Sequence, residues 1–268
     1  MSSDYPLLTD LVRRRFSRQA AEYDRYAVVQ QKVAANLIAA LPEALAGPVL
    51  DVGTGTGELA RRLRSRFPEL PLVVSDVAHG MTCRAAAEVA RTLAVDADAQ
   101  ALPFAAERFR AVLSSSVYQW MNDLPRTFSE SWRVLGQGGI FAFAMFADET
   151  LFELRTAHRQ AVRESGSGHP SHVQEFPDLQ QVQEALRLAS FREIQLWEGR
   201  EVQWHADLAD LLRGLKKIGA QNASRRRPAG MAPRRVMAHL ASCYQEKFGR
   251  NGQIPATYHV IYALAKKG

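Results

Sequence analysis

Apolar residues recur along this chain in two rhythms. Short runs rich in Val, Leu, Ile and Phe alternate with longer stretches whose apolar positions return every three to four residues. That exchange predicts parallel strands joined by crossover helices. Strands are expected at 48–52, 72–75, 93–97, 110–115, 139–146, 191–199 and 255–266, and helices near 58–66, 79–91, 124–135, 150–164, 178–189, 206–218 and 233–248. The fold class is therefore α/β, with helices on both faces of a mostly parallel sheet. Ahead of the first strand, residues 8–40 carry Phe16, Ala20, Tyr23, Tyr26, Val33 and Leu37 at roughly helical spacing, which reads as one or two amphipathic helices. Residues 200–252 fall between the last two strands, where extra elements at a sheet's carboxyl edge commonly shape a substrate pocket. No internal repeat or low-complexity tract interrupts the pattern.

The first strand ends in an acid and three alternate glycines: Val49-Leu50-Asp51-Val52-Gly53-Thr54-Gly55-Thr56-Gly57-Glu58-Leu59. Without a Cβ, Gly53, Gly55 and Gly57 let the chain turn sharply into a helix and let a ligand approach bare backbone near that helix's N-terminal amides. Two later stations repeat the theme. Leu72-Val73-Val74-Ser75-Asp76 is a short strand closed by an acid, where a carboxylate suits ribose hydroxyls. After the third strand, Asp96-Ala97-Asp98-Ala99 leads into a Leu102-Pro103-Phe104 corner, and Asp98 could accept from an adenine amino group. An aspartate in either place also suits a turn or a helix cap. The spacing G-x-G-x-G departs from the G-x-G-x-x-G of a dinucleotide site and argues against NAD.

Together these stations resemble the class I S-adenosylmethionine-dependent methyltransferases over roughly residues 47 to 146. The resemblance implies a Rossmann-like sheet of seven strands with the last antiparallel. It implies S-adenosyl-L-methionine as cofactor, bound by Asp51, Gly53, Thr54, Gly55, Gly57, Asp76, Val77, Met81, Asp98, Ala99 and Ser114. One domain spanning 1–268 is expected, with an N-terminal helical lid at 1–46, the cofactor core at 47–146 and a substrate-side insertion at 200–252.

Composition narrows the setting. A chain of 268 residues with 47% hydrophobic content buries about three quarters of its unfolded surface. Cys83 and Cys243 form no disulfide framework, the Met1–Tyr5 start lacks a signal peptide's apolar core, and the longest apolar run, Ile140 to Ala147, is far shorter than a membrane span. A soluble cytoplasmic protein without a membrane role is expected. The net charge of +6 collects at Arg13-Arg14-Arg15, Arg18, Arg225-Arg226-Arg227 and Arg234-Arg235. Without zinc-knuckle spacing or interleaved aromatics, these clusters fit solvated faces or an acidic protein partner better than nucleic acid. No His-x-x-x-His pair occurs, and His169 and His172 flank a proline without nearby cysteine, so no metal site is expected. Ser114-Ser115-Ser116 lacks a G-x-S-x-G elbow.

Segments outside the core carry a narrower likeness. Phe16 to Asp24, Ala27 to Gln30, Ser114 to Trp120, Thr150 to Arg155, Leu212 to Ala220 and Pro255 to His259 resemble the malonyl-acyl-carrier-protein O-methyltransferases of biotin synthesis. Gln221-Asn222-Ala223 departs from that pattern, where Asn followed by His is expected. Thr54-Gly55-Thr56 departs where many relatives carry Cys or Pro. The resemblance implies methyl transfer to the free carboxylate of malonyl-acyl carrier protein, or malonyl-coenzyme A. A carboxylate is ionised at neutral pH, so positioning replaces general-base chemistry, and a guanidinium could clamp the acceptor. Arg155 is the first candidate for that clamp, with Lys216 and His259 behind it; Tyr23 and Tyr118 would bound the transfer cavity, supported by Gln119 and Trp120. Each also has an ordinary structural reading, as an exposed helix residue, a polar helix face or a packed strand position. The remaining alternatives are a methyltransferase for another small molecule, such as a free carboxylate or quinone precursor, and a cofactor-binding sensor or scaffold without turnover.

Overall fold

The computed structural model describes residues 7–164, 176–220 and 234–268. Helices α1 (Thr9–Gln19), α2 (Tyr23–Tyr26) and α3 (Val28–Ala40) precede β1 (Val49–Val52). Then follow α4 (Glu58–Arg66), β2 (Leu72–Asp76), α5 (His79–Glu88), β3 (Thr92–Asp96), β4 (Phe109–Ser115), α6 (Leu124–Val134), β5 (Leu135–Phe146), α7 (Phe152–Glu164) and α8 (Leu179–Leu188). The chain closes with β6 (Phe191–His205), α9 (Leu208–Lys217), α10 (Arg234–Phe248) and β7 (Ile254–Lys267).

The seven strands form one sheet in the order β3-β2-β1-β4-β5-β7-β6. Neighbours from β3 through β5 pair in parallel, and β7 runs antiparallel to both β5 and β6. Every residue of β1 is buried, as expected of a strand covered on both faces. On one face, α3, α4, α7 and α10 supply Val33, Leu37, Leu63, Ala157 and Tyr244 to the larger core. On the other, α6 and α8 cover an aromatic cluster in which Tyr118 packs edge-on against Phe128 and Phe143 at 5.2 and 5.3 Å. Asp123 caps α6 through the Arg126 amide at 3.0 Å, and Asp178 with Gln181 builds a capping box on α8.

Most expected elements stand within a residue or two of their places. Four differ for identifiable reasons. The N-terminal segment breaks into three helices rather than one or two. The helix expected at 79–91 stops at Glu88, because Val89 turns extended and Arg91 takes a positive φ of 53°. β5 starts directly after α6, at Leu135 rather than 139, and absorbs the early start through a register shift against β4. The largest departure is β6, expected to end at 199, which continues to His205. Phe146 of β5 lies beside Val260, which also pairs with Gly199; six further rungs, from Arg200↔His259 to His205↔Ile254, carry β6 and β7 beyond the end of β5 as a two-stranded ribbon. The segment expected as an insertion from residue 200 therefore begins as sheet. Among the described residues no helix is long and apolar enough to cross a membrane.

Candidate active site

The β1–α4 turn owes its shape to glycines in the left-handed region, with φ of 70°, 55° and 91° at Gly53, Gly55 and Gly57. A Cβ on Gly53 would stand 2.3 Å from Val117 Cγ2, and one on Gly57 would stand 2.8 Å from Val89 Cγ2. Those two glycines permit close packing, whereas a Cβ on Gly55 would meet nothing within 4 Å. Gly55 faces a cleft of about 1080 Å³, solvent-open space included, at the carboxyl edge of β1 to β4.

Among the residues expected to bind cofactor, Asp51, Gly53, Thr54, Gly55, Asp76, Val77, Met81, Asp98 and Ala99 border this cleft. Gly57 lies behind it, at the head of α4. Ser114 turns away, its hydroxyl donating to the Val52 carbonyl at 2.8 Å. The hydroxyls that border the cleft belong to the next two positions, Ser115 and Ser116; both are buried and lack a partner among the described residues. Strand ends at the carboxyl edge are where ligand groups collect, a signal that favours the last serines of β4 over the first.

Two carboxylates dominate the electrostatics. Asp76 accepts from the Gly55 amide at 2.9 Å and the Ala78 amide at 2.8 Å, and so ties the glycine turn to the end of β2. Burial pushes its carboxyl up to about 6, against the pull of those amide donors. Asp51 accepts from the Thr54 hydroxyl at 2.7 Å through one oxygen, while its Oδ1 is buried without a partner among the described residues. Burial raises it further, to about 7; the Thr54 hydroxyl opposes the rise and the charge of Asp76 adds to it. Asp98 accepts from the Gln100 amide at 2.9 Å through Oδ1, a turn contact, and borders the cleft.

The N-terminal helices roof this cleft. Phe16 packs edge-on against Trp120 with ring centroids 5.5 Å apart and meets Tyr23 at 6.2 Å, and all three border the cavity. Asp24 hydrogen-bonds the Thr56 hydroxyl and lies 3.7 Å from Arg61, while Glu22 pairs with Lys217 of α9 at 2.5 Å. Burial, reinforced by the charges of Asp76 and Asp24, pushes the Tyr23 phenol well above its ordinary range, which keeps it a neutral donor.

The other expected catalytic residues stand away from this cleft, and of these Tyr118, expected to bound the transfer cavity, is corrected. Tyr118 lies fully buried in the aromatic core, its hydroxyl 3.3 Å from Ser131 Oγ, and does not border the cleft. Arg155 sits on α7 and donates to the Asp148 carbonyl. His259, buried on β7, holds Glu198 Oε1 at 2.8 Å and Asp148 Oδ1 at 3.3 Å. Lys216 is on the exposed face of α9. None of the four borders the cofactor cleft. The positions of Arg155, His259 and Lys216 depend on the ribbon and on α7 to α9 packing, which spacing along the chain does not encode. Gln221-Asn222-Ala223, His169, His172 and Arg225 to Arg227 lie outside the described residues, and among the described residues no His, Cys, Asp and Glu cluster could hold a metal.

Residues 50–143 match the model of the methyltransferase domain family. Over 261 residues, 96% of this chain and 98% of the other, the chain is 40% identical to the malonyl-acyl-carrier-protein O-methyltransferase of Geobacter sulfurreducens. The chain belongs to the malonyl-acyl-carrier-protein O-methyltransferase family. It is also 35% identical, over 95% of its own length and 46% of the relative's, to the biotin biosynthesis bifunctional protein BioHC of Saccharophagus degradans. Among solved structures, the YcgJ protein of Bacillus subtilis superposes with a TM-score of 0.62 at 17% identity, over 88% of this chain and 98% of that one. Membership in this family accords with the seven-stranded sheet and its antiparallel β7, the class I methyltransferase architecture.

Proposed function

We propose that this chain transfers the methyl group of S-adenosylmethionine to the free carboxylate of a malonyl thioester borne on acyl carrier protein, or on coenzyme A, in early biotin synthesis. The observation that carries this reading is the 40% identity to a relative of that name across nearly the whole of both chains. The cleft supports it independently, because its unpartnered groups suit the cofactor. Asp51 Oδ1 is a buried acceptor awaiting a donor, and a ligand ammonium supplies one. Asp76 accepts one amide on each carboxylate oxygen and borders the cavity, where its remaining lone pairs suit ribose hydroxyls. Ala97, Ala99 and Met81 give apolar walls beside Asp98, suited to adenine.

When bound, the sulfonium supplies an electrophilic methyl group; the chain's own work is placement. The acceptor carboxylate is already ionised, carboxyl groups titrating near ~4, so no residue has to remove a proton. Phe16, Tyr23 and Trp120 exclude water above the cleft, which strengthens every charge interaction inside it. Tyr23, held neutral, offers its hydroxyl as a donor at the cavity wall. Asp24 on Thr56 and Glu22 on Lys217 fasten the roof to the core and to α9.

The reading is tested by incubating the protein with methyl-labelled S-adenosylmethionine and, separately, malonyl-acyl carrier protein, malonyl-coenzyme A and acetyl-acyl carrier protein. Label is expected on the malonyl thioesters and absent from the acetyl form. Equal labelling of the acetyl form would defeat carboxyl transfer, and no labelling of any acceptor would leave a binding protein without turnover.

A further inference from the structure

A second cavity, of about 680 Å³ with solvent-open space included, lies between the β6–β7 ribbon, α9 and the lid. Gln30 borders both this cavity and the cofactor cleft, so the two spaces adjoin at that side chain. Trp204, 43% exposed, gives the second cavity an apolar wall that opens to solvent.

Polar side chains also line it, Gln30, Gln203, Asp210 and Arg213 among them, and the one buried most deeply at the ribbon's last rung is His205, only 6% exposed. The ring's Nδ1 lies 3.0 Å from Asp210 Oδ2, and Asp210 Oδ1 in turn receives Arg213 at 3.2 Å. A carboxylate only accepts, so the shared proton sits on Nδ1, and in that tautomer Nε2 is the ring's acceptor. That Nε2 is buried and has no partner among the described residues. Buried polar atoms are nearly always satisfied by protein, water or ligand. At Nε2 a second carboxylate is a poor occupant, because it would face an acceptor atom with the Asp210 carboxylate close behind. A neutral N–H donor on a largely apolar chain suits both the histidine and the Trp204 wall.

We infer that this second cavity receives the amide-bearing arm of the acceptor thioester, with His205 Nε2 accepting a hydrogen bond from an amide N–H, so that the acyl end reaches past Gln30 to the cofactor cleft. The inference rests on the proposed malonyl thioester activity. It names what carrier protein and coenzyme A share, an arm of amides joined by methylene groups, and makes that arm the recognised element. His205 is on this account a binding residue for the acceptor and takes no part in holding cofactor.

Two small acceptors isolate the N–H: malonyl-N-acetylcysteamine thioester and its N-methylated counterpart, which keeps the carbonyl and loses the donor. For the unmodified protein, kcat/KM is expected to fall roughly fivefold on N-methylation, the scale of one neutral hydrogen bond. In His205→Leu the two acceptors should become equivalent, in His205→Gln, which retains an acceptor oxygen, part of the preference should survive, and S-adenosylhomocysteine affinity measured by calorimetry should stay unchanged in both. Equal rates for the two acceptors with the unmodified protein would overturn the inference without recourse to any variant, as would a preference that persists undiminished in His205→Leu. If the unmodified protein methylates malonyl-acyl carrier protein yet fails these comparisons, the arm assignment falls alone; if it methylates no malonyl thioester, the activity falls and the arm assignment with it.

Discussion

The two halves of the carboxyl edge are built by different means. Around β1 to β4 the ligand groups come from strand ends and the turns directly after them, and the backbone itself makes the cradle: Gly55 opens to the cleft, and Asp76 locks the glycine turn by accepting its amide. Around β5 to β7 the cavity walls come from segments far apart in sequence, with Tyr26 and Gln30 from the lid, His205 from the ribbon and Arg213 from α9 meeting in space. On the proposed reading the first half would hold a cofactor whose shape does not vary. The second is free to change with the acceptor, because side chains on a ribbon and a helix can be replaced without refolding a turn. The contrast predicts that substitutions on the β1 to β4 side damage fold and cofactor affinity together, whereas those on the ribbon side alter acceptor use alone.

The largest effect is expected from Gly53→Ala. The new Cβ would sit 2.3 Å from Val117 Cγ2 on a residue at φ 70°, so backbone strain and overpacking add to about 2–4 kcal/mol of lost stability. Denaturant unfolding should register that loss, and calorimetry should find S-adenosylhomocysteine binding nearly abolished. A stable, fully binding variant would mean that the turn is not the rigid half of the comparison. Asp76→Ala comes next. It leaves the Gly55 and Ala78 amides without their acceptor and would remove the proposed sugar contact, at about 2–3 kcal/mol of ligand affinity, or roughly a hundredfold weaker S-adenosylhomocysteine binding with KM for the acyl acceptor little changed.

A pH experiment probes the same half. Asp51 and Asp76 titrate near 7 and 6 in the folded protein, both raised by burial from 3.8. Between about pH 4 and 7 the folded chain therefore binds more protons than the unfolded one, and this pair's contribution to stability falls as pH rises through that window. A ligand ammonium set against Asp51 reverses the preference there, because it favours the ionised carboxylate. S-adenosylhomocysteine affinity should weaken below about pH 7, by up to about tenfold per pH unit for each proton released. Calorimetry in buffers of different ionisation heats measures that release directly, and Asp51→Asn should reduce it. Affinity that stays flat from pH 5 to 8 would exclude the two acids from the ligand's charge balance.

How far the chain could be read in advance follows the same division. Gly53 to Gly57, Asp76 and Asp98 announce themselves because their chemistry is local: a positive φ, a strand end, a turn. The error at Ser114 is one of a single position: its hydroxyl is spent on the Val52 carbonyl, while Ser115 at the end of β4 and Ser116 just past it, at φ 61°, border the cleft. The ribbon was missed because Arg200 to His205 reads as polar, half-exposed chain. Val202 and Trp204 alternate with polar neighbours, but two apolar positions are too short a run to mark a strand, and pairing with Ile254 to His259 makes it one. His205 carried no signal in the sequence for the same reason: its partner Asp210 and its cavity exist only once α9 folds back against the ribbon.

The smallest expected effect is that of Arg155→Ala, and it bears most directly on where the acceptor lies. In sequence this arginine was the first choice for a carboxylate clamp. In the fold it sits at the start of α7, donates to the Asp148 carbonyl, and borders neither the cofactor cleft nor the cavity beneath Trp204. Its neighbours Asp148 and Glu149 are acidic, Glu149 being held ionised by Arg200, so an incoming carboxylate would approach negative charge as well as positive. Removing the side chain should therefore leave KM for malonyl-acyl carrier protein and kcat within about twofold of the unmodified values, and stability within about 1 kcal/mol, the scale of surface substitutions. A rise in KM of tenfold or more with kcat preserved would instead locate the acceptor's carboxylate at the end of β5. The acceptor would then enter over α7, and the arm could not reach His205 at the far end of the ribbon by way of Gln30.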